Sequence, residues 1–188
     1  CALPICHWDN VSVRLAEPDR SVNNKGLAVY GTITKSAVAT GSNLVAYSGW
    51  SGSNYLQQPY NSSFNFGTGD FCIMCWIKES NFASNQFNTI IDIAQSGSNT
   101  GRIEFLYAYS NLRITLEGVS TTSSVTSPTN TWLHVAAIRR SGVVQLFENG
   151  VLTTTSTSTN NLNNTSVNSY IGINYSGGNA GTGKQISL

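Results

Sequence analysis

Charged side chains are scarce in this sequence, and their scarcity argues against several kinds of partner. Asp, Glu, Lys and Arg make up 10% of the 188 residues, against about 25% in ordinary soluble domains, and the formal net charge is +1. Lys and Arg form no cluster of the kind that binds nucleic acid or an anionic membrane. No apolar run reaches the length of a transmembrane span. We therefore expect neither a nucleic-acid partner nor membrane insertion.

Helical periodicity is also missing. No segment keeps the 3.6-residue repeat of an amphipathic helix, whereas Ser, Thr, Asn and Gly are abundant between short apolar runs. Regular short strands separated by such turn residues are typical of a two-sheet sandwich. A chain of this length also suits one domain, because it can bury about 70% of its unfolded surface. The sequence therefore predicts a single all-β domain.

The most informative stretch, residues 131–150, predicts a three-strand meander. Residues 133–140 alternate with the period of two that marks a strand. Ser141-Gly142 is a turn signal, and residues 143–148 form a second β-prone run that should pair with the first. Asn149-Gly150 tolerates the positive φ values of a type I′ turn, so the chain should then fold back as a third strand.

Further strands and loops are predicted from the same alternation and the same turn residues. Residues 26–34 form another β-prone run, and Val38-Ala39 suggests a short edge strand. The polar stretches 120–131, 156–166 and 176–183 are predicted as loops. The other predicted strands are 44–47, 54–57, 71–78, 89–94, 102–109, 111–116, 151–155, 169–174 and 184–188.

The meander and an earlier segment carry a family resemblance. Their motifs resemble the W-x-H-V-A…R…G…N-G hairpin and the "tgdFtisaWvk" strand of laminin-G-like domains, which are concanavalin A-like lectin/glucanase jelly rolls. The resemblance covers residues 44–188 and implies an all-β, two-sheet antiparallel β-sandwich, an architecture that hosts lectins, adhesion modules, glycosidases and spacers alike. The matching positions are Tyr55-Leu56, Phe66-Gly67-Thr68-Gly69-Asp70-Phe71, Trp76-Ile77-Lys78, Trp132, His134-Val135-Ala136, Arg139, Gly142 and Asn149-Gly150.

A second resemblance concerns the region before the meander. The run from Asp19 to Trp76 resembles the start of such domains in tailed-bacteriophage structural proteins, including tail and fibre proteins. It implies a place on the virion surface, or an otherwise extracellular location, and a homo-oligomer, usually a trimer. Residues 1–26 fit the family poorly and are interpreted as a connector from a preceding module. The jelly-roll domain is assigned to residues 27–188, with a last strand cut short in what we expect to be a piece of a longer protein.

The sequence lacks the motifs of a hydrolase. Glycosidases need two carboxyl groups beside the scissile bond, and the E-x-D-x-x-E strand of glucanases that share this fold is missing. Glu104 and Glu117 are expected to face solvent. His134 is expected to have a structural hydrogen-bonding role, and no G-x-S-x-G nucleophile elbow occurs. We therefore predict no catalytic residue and no enzyme activity.

The four cysteines predict no metal site. Cys72 and Cys75 lie three residues apart on a predicted strand, so they should point to opposite faces and be buried thiols. Cys1 and Cys6 could close a small loop. The sequence leaves the disulfide state of all four open.

Calcium is the one cofactor that the resemblance suggests. Many relatives hold it with oxygen ligands on loops at one rim of the sandwich. Asp70, Asp92, Asn88 and Asn99 are the donors available here, but their spacing fits no calcium-loop pattern. No metal ligand is assigned, and the need for calcium stays open.

Aromatic residues are the candidates for ligand binding. A sugar is bound by an aromatic platform with amide and hydroxyl groups around it. Tyr47, Trp50, Tyr55 and Tyr60 lie close in sequence among Ser and Asn, and they are predicted as ligand-binding residues. Trp50, between glycines in a loop, is the strongest candidate. For the others taken singly, a place in the core is the better interpretation.

The predicted function is a non-enzymatic binding or adhesion module of a phage tail or fibre protein, which recognises host-surface carbohydrate. The main alternative is a structural or decorating domain that contacts only neighbouring virion subunits. A secreted relative of glycan hydrolases ranks below both. Exposure of Trp50 and its tyrosine neighbours around a groove would favour the first function, and their burial would favour the second.

Overall fold

The computed structural model describes residues 26–38, 40–41, 45–82, 87–95, 98–164, 166–175 and 184–187. These residues form two β-sheets and a short 3-10 helix at Ser62–Phe64. In chain order the strands are β1 (Ala28–Tyr30), β2 (Thr34–Ala37), β3 (Val45–Ser48), β4 (Tyr55–Gln58), β5 (Phe71–Glu79), β6 (Phe87–Gln95), β7 (Ser98–Ala108), β8 (Asn111–Leu116), β9 (Val119–Thr126), β10 (Trp132–Arg140), β11 (Val143–Glu148), β12 (Val151–Thr157), β13 (Ser169–Ile171) and β14 (Lys184–Ser187).

Each sheet has seven of these strands. The first sheet has the order β1-β4-β13-β6-β7-β8-β9, and the second has the order β12-β11-β10-β5-β14-β3-β2. The pairings within both sheets are antiparallel. The predicted all-β, two-sheet sandwich is therefore confirmed. The division at residue 26 stays a prediction, because residues 1–25 lie outside the described part of the chain.

The core lies between the sheets and is built from alternate residues of the central strands. Ile103 and Phe105 of β7 and Val135 and Ala137 of β10 are all fully buried. Since successive side chains of a strand point to opposite faces, the residues between them form the outer surfaces of the sandwich. Those outer surfaces are where a ligand could bind.

An ionisable pair, Glu79 and Lys184, is enclosed between the sheets. Glu79 of β5 and Lys184 of β14 are cross-strand partners, and both are buried. The Lys184 Nζ donates to the carbonyl oxygens of Thr89, at 2.5 Å, and Gly172, at 2.7 Å. Burial raises the pKa of Glu79 to about 7 and lowers the pKa of Lys184 to about 7. Lys184 thus ties the second sheet to the first.

Most predicted strands are present, and one predicted loop is wrong. The polar stretch 120–131 was expected to be a loop, but Val119–Thr126 forms the edge strand β9 and pairs with β8. Thr121 and Ser123 alternate inward and are buried, and β-branched Thr suits a half-buried edge strand. Of the short strand expected at Val38-Ala39, Val38 follows the end of β2, and Ala39 lies outside the described residues. The loop predicted at 176–183 lies outside the described residues.

Arg139 fastens the loops at one end of the second sheet. It is fully buried on β10. Its Nε donates to the carbonyl oxygen of Gly69 at 2.8 Å, and its Nη2 donates to that of Gly67 at 2.7 Å. Its Nη1 donates to the carbonyl oxygen of Asn160 at 2.9 Å, and the guanidinium lies 5.2 Å from the centre of the Phe71 ring. One side chain therefore joins β10, the loop before β5 and the segment after β12.

The turns of the meander have the predicted geometry. Asn149 and Gly150 have φ values of 50° and 78°, and Ser141 and Gly142 have 49° and 77°, as two-residue hairpin turns with positive φ require. Asn149 also accepts a hydrogen bond from the His134 backbone N–H at 3.0 Å and donates its own backbone N–H to the His134 carbonyl at 2.7 Å. The hydrogen bonds expected of His134 are therefore made by its backbone.

The two described cysteines point to opposite faces, as predicted. Cys75 faces the core, and burial raises the pKa of its thiol to about 12. Cys72 is exposed on the outer face of β5, so its predicted burial is wrong. Both are free thiols. Cys1 and Cys6 lie outside the described residues.

Replacing Arg139 should weaken the whole sandwich. Arg139→Ala removes three hydrogen bonds from a buried charged donor to backbone carbonyl oxygens, so we expect the free energy of unfolding to fall by about 3–5 kcal/mol. Arg140→Ala is the matched control, because Arg140 is exposed and should change stability by about 0.5 kcal/mol or less. Chemical denaturation measures both. Equal stabilities of the two variants would contradict the assigned role.

Candidate functional site

Trp50, the strongest sequence candidate, is not available to a ligand. Its side chain is 1% exposed, and its Nε1 donates to the Tyr47 carbonyl oxygen at 3.1 Å. The indole ring packs over Gly172, where a Cβ atom would overlap the ring. The interpretation of Trp50 as a ligand-binding residue is therefore wrong. The missing side chain at Gly172 makes room for the ring, and a large aromatic group is strongly stabilised by burial.

Tyr47 and Tyr60 do not join a common site with Tyr55. Tyr47 is the cross-strand partner of Ile186 and packs against the core, so it is better described as a core residue. Tyr60 is 39% exposed, and its hydroxyl accepts a hydrogen bond from Asn65 at 3.0 Å. It follows the end of β4, whereas Tyr55 begins that strand. The structure therefore does not bring the four predicted aromatic residues together.

Tyr55 instead lies in a row of tyrosines on the outer face of the first sheet. The rings of Tyr55 and Tyr30 are stacked, with centroids 4.6 Å apart and planes 9° apart. Tyr170 follows at 6.0 Å from Tyr55, tilted by 55°. The three residues come from the neighbouring strands β1, β4 and β13, and Tyr30 is 41% exposed. We call this surface the tyrosine face.

The hydroxyl group of Tyr55 can donate a hydrogen bond at neutral pH. Desolvation raises the pKa of Tyr55 above its ordinary value of 10.0, and the neighbouring Tyr30 and Tyr170 raise it further. The Tyr55 hydroxyl therefore stays protonated. A stacked pair of rings also costs little conformational entropy to hold in place, so the surface is preorganised for a ligand.

A row of polar side chains crosses the same sheet next to the tyrosines. Cross-strand pairing aligns one outward residue from each of six neighbouring strands, and the row spans about 24 Å at about 4.8 Å per strand. In order across the sheet these residues are Gln57, Tyr170, Asp92, Glu104, Thr115 and Ser120.

Arg102 is held at the centre of this row by two carboxylates. Its Nε lies 3.4 Å from Asp92 Oδ1, and its Nη2 lies 2.9 Å from Glu104 Oε2. The backbone N–H of Tyr175 donates to Asp92 Oδ2 at 3.0 Å, and the guanidinium lies 5.6 Å from the centre of the Tyr175 ring. Burial raises the pKa of Asp92 and of Glu104, while Arg102 opposes both shifts. The guanidinium thus has a fixed position between Asp92, Glu104 and the ring of Tyr175.

The surroundings of Glu104 and Glu117 differ from the sequence expectation. Glu104 is 6% exposed and ion-paired, so its expected solvent-facing position is wrong. Its acidic neighbour is Asp92 on the adjacent strand, which local sequence could not reveal. Glu117 is half-buried in the β8–β9 turn and accepts a hydrogen bond from the Gly101 backbone N–H at 2.9 Å.

A hydrolytic pair must reach the scissile bond, whereas Asp92 and Glu104 are buried and bound to Arg102.

The oxygen donors considered for calcium do not fit a common site. Asp92 is bound to Arg102 on the first sheet, and Asp70 accepts the Ser141 backbone N–H at 2.7 Å beside the second sheet. Asn88 is paired with the core residue Tyr107 and faces the interior. Within the described ranges, no three His, Cys, Asp or Glu side chains come together as a metal site. We derive no calcium chemistry from these residues.

The comparisons with known proteins identify the family. A family model of laminin-G type, described as the concanavalin A-like lectin/glucanases superfamily, matches residues 50–184. The chain belongs to this superfamily. Among curated proteins, no sequence matches this laminin-G-like chain. In the part of the chain that the structure describes, no helix has the length and apolarity of a membrane span.

Three solved structures illustrate the similarity of the laminin-G-like chain to known folds. Domain 4 of AbnA, an extracellular arabinanase from Geobacillus stearothermophilus, in complex with arabinotriose, is 15% identical, with a TM-score of 0.62 over 89% of this chain and 84% of that chain. The binding domain of botulinum neurotoxin DC in complex with SialylT is 18% identical, with a TM-score of 0.63 over 90% and 42%. The third structure is of botulinum neurotoxin type C, whose cell entry is dependent upon interaction with two ganglioside molecules. It is 16% identical, with a TM-score of 0.59 over 90% of this chain and 44% of that chain.

Identities this low show the fold alone. The chain also spans less than half of each toxin chain that it matches. The two toxin structures and the arabinanase domain therefore confirm the jelly-roll architecture without assigning any residue of the tyrosine face.

Replacing Trp50 should change stability because its ring fills the space over Gly172. We expect Trp50→Ala to lower the free energy of unfolding by about 3–5 kcal/mol, as other large-to-small core substitutions do. Tyr60→Ala, which removes an exposed ring, should cost about 1 kcal/mol or less. Denaturant titration compares the two. A Trp50→Ala variant as stable as the parent would contradict the core position of this residue.

Proposed function

We propose that the chain is a non-catalytic carbohydrate-binding module that holds its ligand on the tyrosine face. The observation that carries this proposal is the stacked pair of the exposed Tyr30 and the half-exposed Tyr55, with Tyr170 beside it. Aromatic rings bind the apolar faces of sugar rings, while amide, hydroxyl and guanidinium groups bind the sugar hydroxyls. Gln57 supplies an amide opposite Tyr170, and Arg102 supplies a guanidinium in the neighbouring polar row, over the ring of Tyr175.

The surroundings of Arg102 support binding rather than hydrolysis. Asp92 and Glu104 each lie against its guanidinium, so they act as positioning residues for Arg102. A guanidinium carries five N–H donors, so these two contacts do not exhaust it. A fixed donor loses little freedom on binding, which favours affinity for a polar ligand.

The similar structures support a glycan as the ligand. One of them is a domain of an arabinanase in complex with arabinotriose. Another is a toxin binding domain in complex with SialylT, and a third is a toxin whose cell entry is dependent upon two ganglioside molecules. The arabinanase domain matches over most of its own length, whereas the toxins match over less than half of theirs. These likenesses extend to the fold, and the step to a glycan is our proposal.

The biological setting is a further part of this proposal. The run from Asp19 to Trp76 resembles domains of tailed-phage structural proteins, and on that ground we place the module on the surface of a phage particle as a homo-oligomer. Its ligand would then be a host-surface glycan, and its protein partners would be neighbouring virion subunits. An extracellular location outside a virion is the alternative setting.

A structural or decorating domain without a ligand is the second candidate function. The burial of Trp50 and the core position of Tyr47 favour it, because these were the residues expected to be exposed in an adhesin. The exposure of Tyr30 and the half-exposed Tyr55 and Tyr170 favour carbohydrate binding. We give more weight to the tyrosine face because Tyr30, Tyr55 and Tyr170 lie together on one outer surface.

The proposal is tested by removing the aromatic platform. Tyr55→Ala and Tyr170→Ala should each weaken binding about tenfold, since an aromatic contact contributes about 0.5–1.5 kcal/mol beyond its buried area. Binding of glycans selected on an array is measured by titration calorimetry. Tyr60→Ala is the matched control, because this exposed tyrosine lies at the other end of β4. Unchanged binding by both platform variants, with intact folding, would show that the tyrosine face is not the site.

A further inference from the structure

The outer face of the second sheet carries another group of aromatic and polar side chains. Cross-strand pairing aligns three of them across β10, β5 and β14, namely Trp132, Lys78 and Gln185. Two residues along β10 and β5, the pairing aligns His134 with Trp76. Their neighbours in the chain, such as Ile77 and Leu133, are buried in the core. The five residues therefore point outward on the opposite side of the sandwich from the tyrosine face. We call this group the tryptophan face.

Trp76 is the exposed centre of the tryptophan face. It is 44% exposed, although large aromatic side chains are usually mostly buried. The ring of His134 packs edge-on against it, with centroids 5.3 Å apart and planes 63° apart. This contact holds one edge of the indole and leaves its position well defined for a ligand.

The charge of this surface differs from that of the tyrosine face. Around Trp76, the outward positions of β5 and β10 include Lys78 but no Asp or Glu, because Glu79 faces the core. The first sheet carries two carboxylates beside the tyrosine face instead, Asp92 and Glu104, both bound to Arg102. An anionic ligand is therefore complementary to the tryptophan face.

We propose that the tryptophan face is a second saccharide site, which binds a sugar that carries a carboxylate. The indole of Trp76 stacks on the apolar face of the sugar ring. Lys78 lies two residues along the same strand, about 7 Å away, and its ammonium group pairs with the sugar carboxylate. The side-chain amide of Gln185, on the neighbouring strand, binds sugar hydroxyls. This site does not depend on the tyrosine face.

A module with both sites could hold two glycan chains at once. The two faces are the outer surfaces of sheets that pack about 10 Å apart, so one ligand does not block the other. The chain could then cross-link a neutral glycan and an acidic one. A single-site module could not do this without self-association.

The test compares binding of trigalacturonic acid with binding of its carboxyl-reduced form. Trp76→Ala should weaken binding of the acidic sugar at least tenfold. Lys78→Gln should lower the affinity for the acidic sugar to the affinity that the parent chain has for the reduced sugar. A rise in ionic strength from about 0.01 M to about 1 M shortens the screening length from about 30 Å to about 3 Å. This rise should also weaken binding of the acidic sugar. Tyr55→Ala should leave binding of the acidic sugar unchanged. Met74→Ala is the matched control, since Met74 is exposed on the same strand.

Three results would overturn this second site. The first is that the parent chain binds no acidic sugar, whether or not it binds another glycan through Tyr55. The second is that Trp76→Ala and Lys78→Gln, both folded by circular dichroism, bind trigalacturonic acid as the parent does. The third is that the parent sediments as an oligomer and Trp76→Ala as a monomer, which would make this face an interface between copies of the chain.

Discussion

The Arg139 guanidinium is the interaction on which the rest of the sandwich depends. It is fully buried, and it donates to three backbone carbonyl groups in two loops. A buried charge is tolerated only when its hydrogen bonds are satisfied. The loop at Gly67 and Gly69 must therefore keep its position, and that position sets where β5 begins beside β10. These two central strands then direct Trp76 and His134 outward.

The sequence predicted the parts of the fold that rest on local chemistry. The turn at Asn149-Gly150 follows from the positive φ that these residues tolerate, and the alternation in residues 133–140 follows from the pleat of a strand. Strand β9 was missed because Ser and Thr are common in loops as well as in edge strands. Its assignment depends on the inward packing of Thr121 and Ser123, which only the folded chain reveals.

The candidate site was predicted only in part, because sheet register decides it. Tyr55 was named from the sequence, but its partners Tyr30 and Tyr170 lie 25 residues before it and 115 residues after it. Asp92 and Glu104 became neighbours through pairing of β6 with β7. Trp50 was misassigned because the sequence does not show that Gly172 opposes it. Amino-acid type identifies groups able to bind a sugar, whereas strand order determines which of them share a surface.

The most direct test of the account is an NMR titration of the chain with a neutral oligosaccharide that it binds. The account predicts that the perturbed backbone amides belong to the tyrosine face and its neighbours, with Gln57, Tyr170 and Tyr175 among them. The amides around Trp76 on the opposite sheet should be unaffected by this ligand. Perturbations confined to the Trp50 loop or to the second sheet would contradict the assignment of carbohydrate binding to the tyrosine face.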